Sequence, residues 1–597
     1  MTRMGPLLGT RIRLTITALL AASAMFAIGF SSTAQAQEFT VTSLADSEDP
    51  GTLRTALNDV VGSIDIENRI VFAPGLTGTI NLSSPLPPFP GTLEIEGPGA
   101  EKLAIDGGDE HPIFTGEGDV AISDLSLENG YYAASLQNGT AVLDGVTIES
   151  SGVGGGVVAA GSNLTIRDSR LIDNEAPMGA GLSVSESDVT VSNSVFSGNQ
   201  AGFGAGILVY GGEEDSIEID GSSFTNNTAT TGGGGLAVFT ETLGEIVSTK
   251  VAISDSTFTG NKATAPVESG AGGGGIYSSS TDITIDSSLF DRNTSGSAAG
   301  AIGIGAPFPA NKASISNSTF TGNSAEAGAG AIFSVAGGMK IDSSTIVGNS
   351  TTNPINPQYG GAGLVAAYVP ATVRNTIISG NTPTDISTFS PSEEAKAEVK
   401  GSFNLIGKMP EADYTETVSG SDITSSTPKL GALADNGGPT KTMAPAASSP
   451  VVNKGLSYLD TDQRGLLRPV KFGSIPFSKA KQANGADIGA VELQSNTIRF
   501  GKVKLNKKQG TATLPVILPT GGKVTLKGSS TVKGQTKSTK KAATVKFQVK
   551  AKGKALKKLR KAGTVKVKLA FTFRPTGGIA SSKNKTIRLA MKKKRRG

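Results

Sequence analysis

Residues Asp188 to Asn199 read DVTVSNSVFSGN. An aliphatic pair spaced by two is followed by a small polar residue and a Ser. An apolar residue comes two positions after the Ser and an Asn three after that. The unit recurs with variation for about 200 residues. Its apolar residue and Asn are Leu171/Asn174, Phe196/Asn199, Phe224/Asn227, Phe258/Asn261, Phe290/Asn293, Phe320/Asn323, Ile346/Asn349 and Ile378/Asn381. The Asn-to-Asn steps are 25, 28, 34, 32, 30, 26 and 32 residues. Glycine runs ending in an apolar residue lie between copies, as in GAGL at 179–182 and GGGI at 273–276.

The aliphatic pairs Val189/Val191, Ile217/Ile219, Val251/Ile253 and Ile283/Ile285 alternate with polar residues. Period two means a strand with one face buried. Frequent glycine excludes helical repeats, since Gly costs about 1 kcal/mol relative to Ala inside a helix. A single repeat cannot bury its own face, so copies must stack. Stacking places Phe on Phe and Asn on Asn. The expected ladder is Phe196, Phe224, Phe258, Phe290 and Phe320 beside Asn199, Asn227, Asn261, Asn293, Asn323, Asn349 and Asn381, with amides linked along a rod. Asn is expected at the bends because it tolerates a left-handed turn. Uneven step lengths are absorbed in surface loops at little entropic cost. The fold class is therefore all-β: a right-handed parallel β-helix with an N-terminal helical cap, followed by a small basic immunoglobulin-like sandwich.

This series of Phe-x-x-Asn and Gly-Gly-Ala-Ile-like runs, over roughly 120–381, resembles the chlamydial-type polymorphic outer membrane protein repeat. The resemblance implies a surface adhesin. Many members of that family end in an outer-membrane barrel, and no such barrel is legible in this sequence.

Residues 1–36 are expected to be a secretory signal, with Arg3, Arg11 and Arg13 before an apolar run and Ala34-Gln35-Ala36 at the cleavage site. This places the chain outside the cell, associated with its surface. There is no Cys, which excludes disulfides, thiol nucleophiles and thiolate metal sites. Residues 37–63 form the cap. Pro50 opens a short helix with Asp49 as its N-cap, and Leu53, Ala56, Leu57 and Val60 share one face. An amphipathic lid there covers the open end of a β-helix. Residues 64–381, at about 28 per coil, make eleven or twelve coils, a core roughly 55 Å long at the spacing of stacked strands.

The repeat stops in 382–494. NLIG at 404–407, LGALADNGGPTKTMAPAASSPVVNKG at 430–455, DTDQRG at 460–465 and GADIGAVE at 485–492 resemble the closing segment of secreted bacterial β-helix proteins of the choice-of-anchor group. The resemblance implies that this segment closes the last coil and that an anchor module follows it.

Residues 495–597 hold 30 of the chain's 55 Lys and Arg and no Asp or Glu. The other 494 residues carry 25 basic and 51 acidic side chains, so the overall +4 conceals a bipolar molecule. About seven alternating strands separated by Pro-Thr-Gly-Gly turns make 495–590 a sandwich. AKGKALKKLRKAG fits a short helix, and 591–597 a basic tail. A concentrated positive field seeks polyanions. The expected partner is an anionic cell-envelope polymer or polysaccharide, held electrostatically by Lys557, Lys558, Arg560 and Lys561. Sequence-specific nucleic-acid binding is not expected, because aromatic residues are not interleaved with the charge. Solubility, or docking onto the chain's own acidic β-helix, is the alternative use of that charge.

Catalytic motifs are sparse. Glycosidase chemistry needs paired carboxylates. The single His111 sits in GDEHPIF, ahead of the repeats, and reads as a loop residue. Arg167, Asp168 and Arg170, and the pair Asp291 and Arg292, are the acid–base groupings in sequence. With no Trp and 8 Tyr, sugar-stacking platforms look scarce. No catalytic or metal-binding residue is assigned. The bend carboxylates Asp220, Asp255, Asp286 and Asp342 read as solvated turn residues, with a calcium ladder as the alternative. A lyase or hydrolase acting on acidic polysaccharide is the alternative to the structural and adhesive reading. Oligomeric state is not legible.

Overall fold

The computed structural model describes residues 37–592, except 63–66, 213–214, 241–248, 268–271, 280, 306–311, 336–337, 353–360, 362, 369, 390–396, 409–413 and 474. The expected signal segment 1–36 and most of the expected tail 591–597 lie outside the described residues.

The chain winds as a right-handed parallel β-helix. Three parallel sheets of 15, 12 and 14 strands run its length, and a fourth of six strands spans its middle coils. One coil shows the plan. Ser216–Asp220 lies in the first sheet, Ser223–Thr225 in the third, Thr228–Gly232 in the fourth and Leu236–Thr240 in the second. Each pairs in register with the next coil: Ile217 with Val251, Phe224 with Phe258, Ala229 with Ala263, and Leu236 with Ile276. Twelve first-sheet strands fall between 64 and 381.

The core column is continuous. Phe196, Phe224, Phe258, Phe290 and Phe320 are fully buried and stack face to face, with centroids 5.0, 4.5, 5.0 and 4.7 Å apart. Beside them runs the amide ladder. Asn199 Nδ2 donates to Asn227 Oδ1 at 2.8 Å, and the relation repeats through Asn261, Asn293, Asn323, Asn349 and Asn381. Asp385 ends it, accepting from Asn381 Nδ2 at 2.9 Å. The ladder residues do not themselves carry the left-handed bend. Positive φ belongs to the residue just before each, at Gly198, Asn226, Gly260, Arg292, Gly322, Gly348 and Gly380. The ladder Asn is thus selected by its buried amide and its neighbour by the turn.

At the N-terminal end the helix α1 runs Leu53–Val61 and buries Leu53, Ala56, Leu57 and Val60. Its N-cap is Thr52, whose hydroxyl accepts from Thr55 N, and not Asp49. Asp49 instead turns the chain into the cap through its carbonyl, which accepts from Thr52 N at 3.3 Å. The helix packs on Gln37–Val41 and Phe89–Pro90. It is tied to the first coils by Arg54, which pairs with Asp46 at 2.8 Å and donates to the carbonyls of Ser84 and Pro85.

Two expectations change. The coils do not begin at 64 or stop at 381. Gln37–Val41 is already a rung of the first sheet, and rungs continue at Val399–Ser402, Leu405–Ile406, Tyr414–Glu416 and Ile423–Thr424. These outer coils keep the strand register without the Phe-x-x-Asn signature. Nor does 430–494 lie over the last coil, where Tyr414 packs on the end of the core. It folds back along the outside of the third sheet. Thr440 Oγ1 donates to Ser287 O, Gln463 Nε2 to Ser288 O, Asn375 Nδ2 to Asp487 O, and Ala490 N to Thr345 Oγ1. The reason lies in the rungs. The outer column runs Leu289, Thr319, Thr345, Ile377 and Leu405, apolar at its last two rungs, and Val451, Val452, Ile488 and Leu493 cover Ile377, Leu405 and Val347.

Residues 498–592 form two antiparallel four-stranded sheets around a separate core of Leu514, Val516, Phe547, Leu569, Phe571 and Phe573. The helix α2, Gly553–Ala562, lies where the sequence placed one.

Candidate functional site

The basic sandwich alternates strictly, so its charges all face outward. In Thr564–Pro575 the buried Val565, Val567, Leu569, Phe571 and Phe573 alternate with exposed Lys566, Lys568 and Arg574. On α2, Ala555 and Leu559 bury the inner face, while Lys557, Lys558, Arg560 and Lys561 are exposed on the other. Among the described residues every ion pair lies within 38–492. No Lys or Arg of the sandwich meets a carboxylate of the acidic β-helix. The alternative of docking by charge onto its own rod therefore has no contact to support it among those residues.

The sandwich is joined to the rest through the buried part of the closing segment. Arg464 and Asp462 pair at 2.6 Å and Arg468 and Glu492 at 3.2 Å, all four side chains fully buried. Burial, and for Asp487 the neighbouring Glu492, pushes the Asp487 and Glu492 carboxyls up, while Arg468 pulls both back. Arg464 Nη2 donates to Glu492 O at 2.7 Å, and its Nη1 to the carbonyl of Gly577 in the sandwich. At Gly577 a Cβ would sit 2.2 Å from Arg464 Nη1 and 2.3 Å from Asn436 O, and φ is +60°, so this approach needs glycine.

On the β-helix, two groupings arise that spacing along the chain conceals. Glu128 and Glu149 are register partners on the third sheet, as are Thr147 and Arg170. With Glu101 and Asp168 they surround a hollow of about 480 Å³. Arg167 is not part of it; it pairs with Asp144 at 2.8 Å. Arg292 pairs with its neighbour Asp291 at 2.8 Å. His111 is half-buried in a turn between Leu103–Asp106 and Phe114–Glu117 and does not line that hollow. Outside the second sheet Phe203, Tyr210 and Tyr277 gather on Phe239, with centroids 5.3, 5.6 and 5.5 Å away. These rings come from four separate strands. Only the register joins them, through Tyr210 opposite Phe239 and Ala237 opposite Tyr277.

The bend carboxylates are partnered along the first sheet. Asp220 accepts from Ser254 at 2.6 Å, Asp286 from Ser287 at 2.7 Å and Asp342 from Ser343 at 2.7 Å, while Arg374 pairs with Asp342. Among the described residues no three His, Asp or Glu converge as a metal site. Asp255, between Asp220 and Asp286, is pushed up to about 6 by burial and by those two charges.

The fold and these surfaces define a right-handed parallel β-helix protein carrying a basic β-sandwich. The chain matches the right handed beta helix region family over residues 103–243. No curated protein matches it. Among solved structures it is similar to the PL6 family alginate lyase AlyGC, at 12% identity and TM-score 0.33, over 73% of this chain and 60% of that one. It is also similar to the catalytic domain of a GH87 alpha-1,3-glucanase in complex with nigerose, at 12% identity and TM-score 0.27, over 59% of this chain and 68% of that one. The chain thus spans less than two thirds of the alginate lyase's length.

Proposed function

We propose that this is a secreted, surface-associated structural or adhesive protein. Its β-helix is the displayed rod, and its basic sandwich attaches it to an anionic envelope polymer. The observation that carries this reading is that the sandwich's cations have no ion-pair partner among the described residues. An unneutralised field of that density favours a polyanion and releases its counterions on binding. Lys557, Lys558, Arg560 and Lys561 form one outward cluster of this field, one among several. Deleting 495–597 is expected to abolish retention on purified cell envelopes; unchanged retention contradicts the reading.

A second reading rests on the hollow formed by Glu128, Glu149, Asp168 and Arg170. Carboxylates beside a guanidinium on an exposed rung are the groups that a polysaccharide lyase or hydrolase requires. Release of reducing or unsaturated sugars from an acidic polysaccharide, lost in Glu149→Gln, supports it; no release dismisses it.

A further inference from the structure

Between the closing segment and the sandwich lies a cleft of about 780 Å³. Its size is that of a small-molecule site. One wall is the outer face of the sandwich sheet containing Gly522–Leu526 and Thr564–Pro575. Lys523 and Arg574 are direct cross-strand partners there. Two like charges directly opposite one another destabilise a sheet. Neither side chain has a hydrogen bond or ion pair among the described residues. The facing wall is the turn at Asp435, whose Oδ1 accepts from Gly437 N at 2.9 Å. On the next strand the exposed Ser538 lies directly opposite Lys523, on the same face, and also lines the cleft. The two walls are held in place by Arg464 on Gly577 and by Asn496 Nδ2 on Ile579 O at 3.1 Å.

We infer that this cleft is a binding site for an acidic sugar unit of a polyuronate chain. The carboxylate seats on Arg574 and Lys523, and the ring hydroxyls meet Asp435 and the Ser538 hydroxyl. Arg offers a planar fork that matches a carboxylate with two parallel hydrogen bonds. A cationic pair alone would suit any oxyanion. An acceptor carboxylate facing that pair selects a ligand that also carries hydroxyl donors, as a uronic acid does and a bare phosphodiester does not. The inference rests on the attachment reading and narrows it, from diffuse charge over the sandwich to one seat with a defined ligand class.

The test is binding of the full mature chain to polygalacturonate at about physiological salt, by co-sedimentation and by calorimetry with the trimer. Lys523→Ala with Arg574→Ala is expected to weaken binding tenfold or more. Lys507→Ala with Lys508→Ala removes the same charge from an exposed turn away from the cleft and is expected to weaken it no more than twofold. Ser538→Ala keeps the charge and is expected to weaken trimer binding several-fold at an unchanged Tm. Equal losses from both double variants, or inorganic polyphosphate, which carries no alcohol hydroxyls, binding as tightly as polygalacturonate, overturn the cleft and leave diffuse attachment standing. No binding of the unaltered chain to any polyanion overturns the attachment reading itself.

Discussion

Asn227 and Asn261 lie 34 residues apart in sequence and one coil apart in space. The side-chain oxygen Oδ1 of Asn261 accepts both from Asn227 Nδ2 at 2.9 Å and from the Asn227 backbone N–H at 3.1 Å. Asn261 Nδ2 in turn donates to Phe224 O at 2.9 Å. One amide thus satisfies three buried polar groups. In Asn261→Leu all three lose their partner, at about 1–3 kcal/mol each. A fall in stability of about 3 kcal/mol or more is expected in urea unfolding. An unchanged midpoint contradicts the ladder as a source of stability.

The adjacent Phe column makes a parallel prediction. Phe258 lies 4.5 Å from Phe224 and 5.0 Å from Phe290, fully buried between them. Phe258→Ala leaves a void that rungs in register cannot collapse to fill. The loss expected is about 3–5 kcal/mol. Phe258→Leu, read on the same thermal scan, is expected to lose less.

Arg468 and Glu492 test how the closing segment is held. Both are fully buried, so Arg468→Met leaves an unpaired carboxylate in the interior at about 3–5 kcal/mol. Amide hydrogen exchange is expected to rise at 451–456 and 486–493, with no change in the early rungs such as Val189–Ser192. A uniform rise along the whole rod contradicts the lateral docking.

Asp255 carries a pH dependence of unusual sign for a carboxylate. Its folded value, about 6, is above the ordinary 3.8. Between these values the folded state holds more protons than the unfolded one, so stability falls as pH rises. Asp255→Asn removes that cost. Asn fits the left-handed bend, as Asn193, Asn317 and Asn375 show at the same bend of other coils. Tm of the variant is expected to exceed that of the unaltered protein at pH 7–8, by the equivalent of about 1 kcal/mol for a partly exposed group. The difference should vanish near pH 4. A constant difference across this range contradicts the assignment.

The fold was legible wherever one chemical rule repeats. The Phe and Asn columns announce themselves because identical residues recur at coil spacing, and the alternation of 498–592 announces the sandwich. Elsewhere the signal is spatial. Phe203 and Tyr210 share one coil and Phe239 and Tyr277 come from the next two, at unequal steps, so their grouping appears only once the register is known. Glu128 and Glu149 could have been paired by aligning the aliphatic Leu127 and Ile148 that precede them. The lateral course of the closing segment was hidden for another reason. Its buried contacts are made by Asp462, Arg464, Arg468, Asp487 and Glu492, residue types that read as surface. The apolar column they help cover differs from other rungs by only a few side chains. Asp385, which ends the amide ladder, falls four residues after Asn381, where the spacing rule no longer holds.

The attachment account is tested most directly by co-sedimenting the full mature chain with purified anionic envelopes across a salt series, beside the chain lacking 495–597. The account predicts tight binding at low salt, a steep linear fall of log affinity with log salt, and no binding by the truncated chain. Binding that is independent of salt, or equal for the two chains, would contradict it.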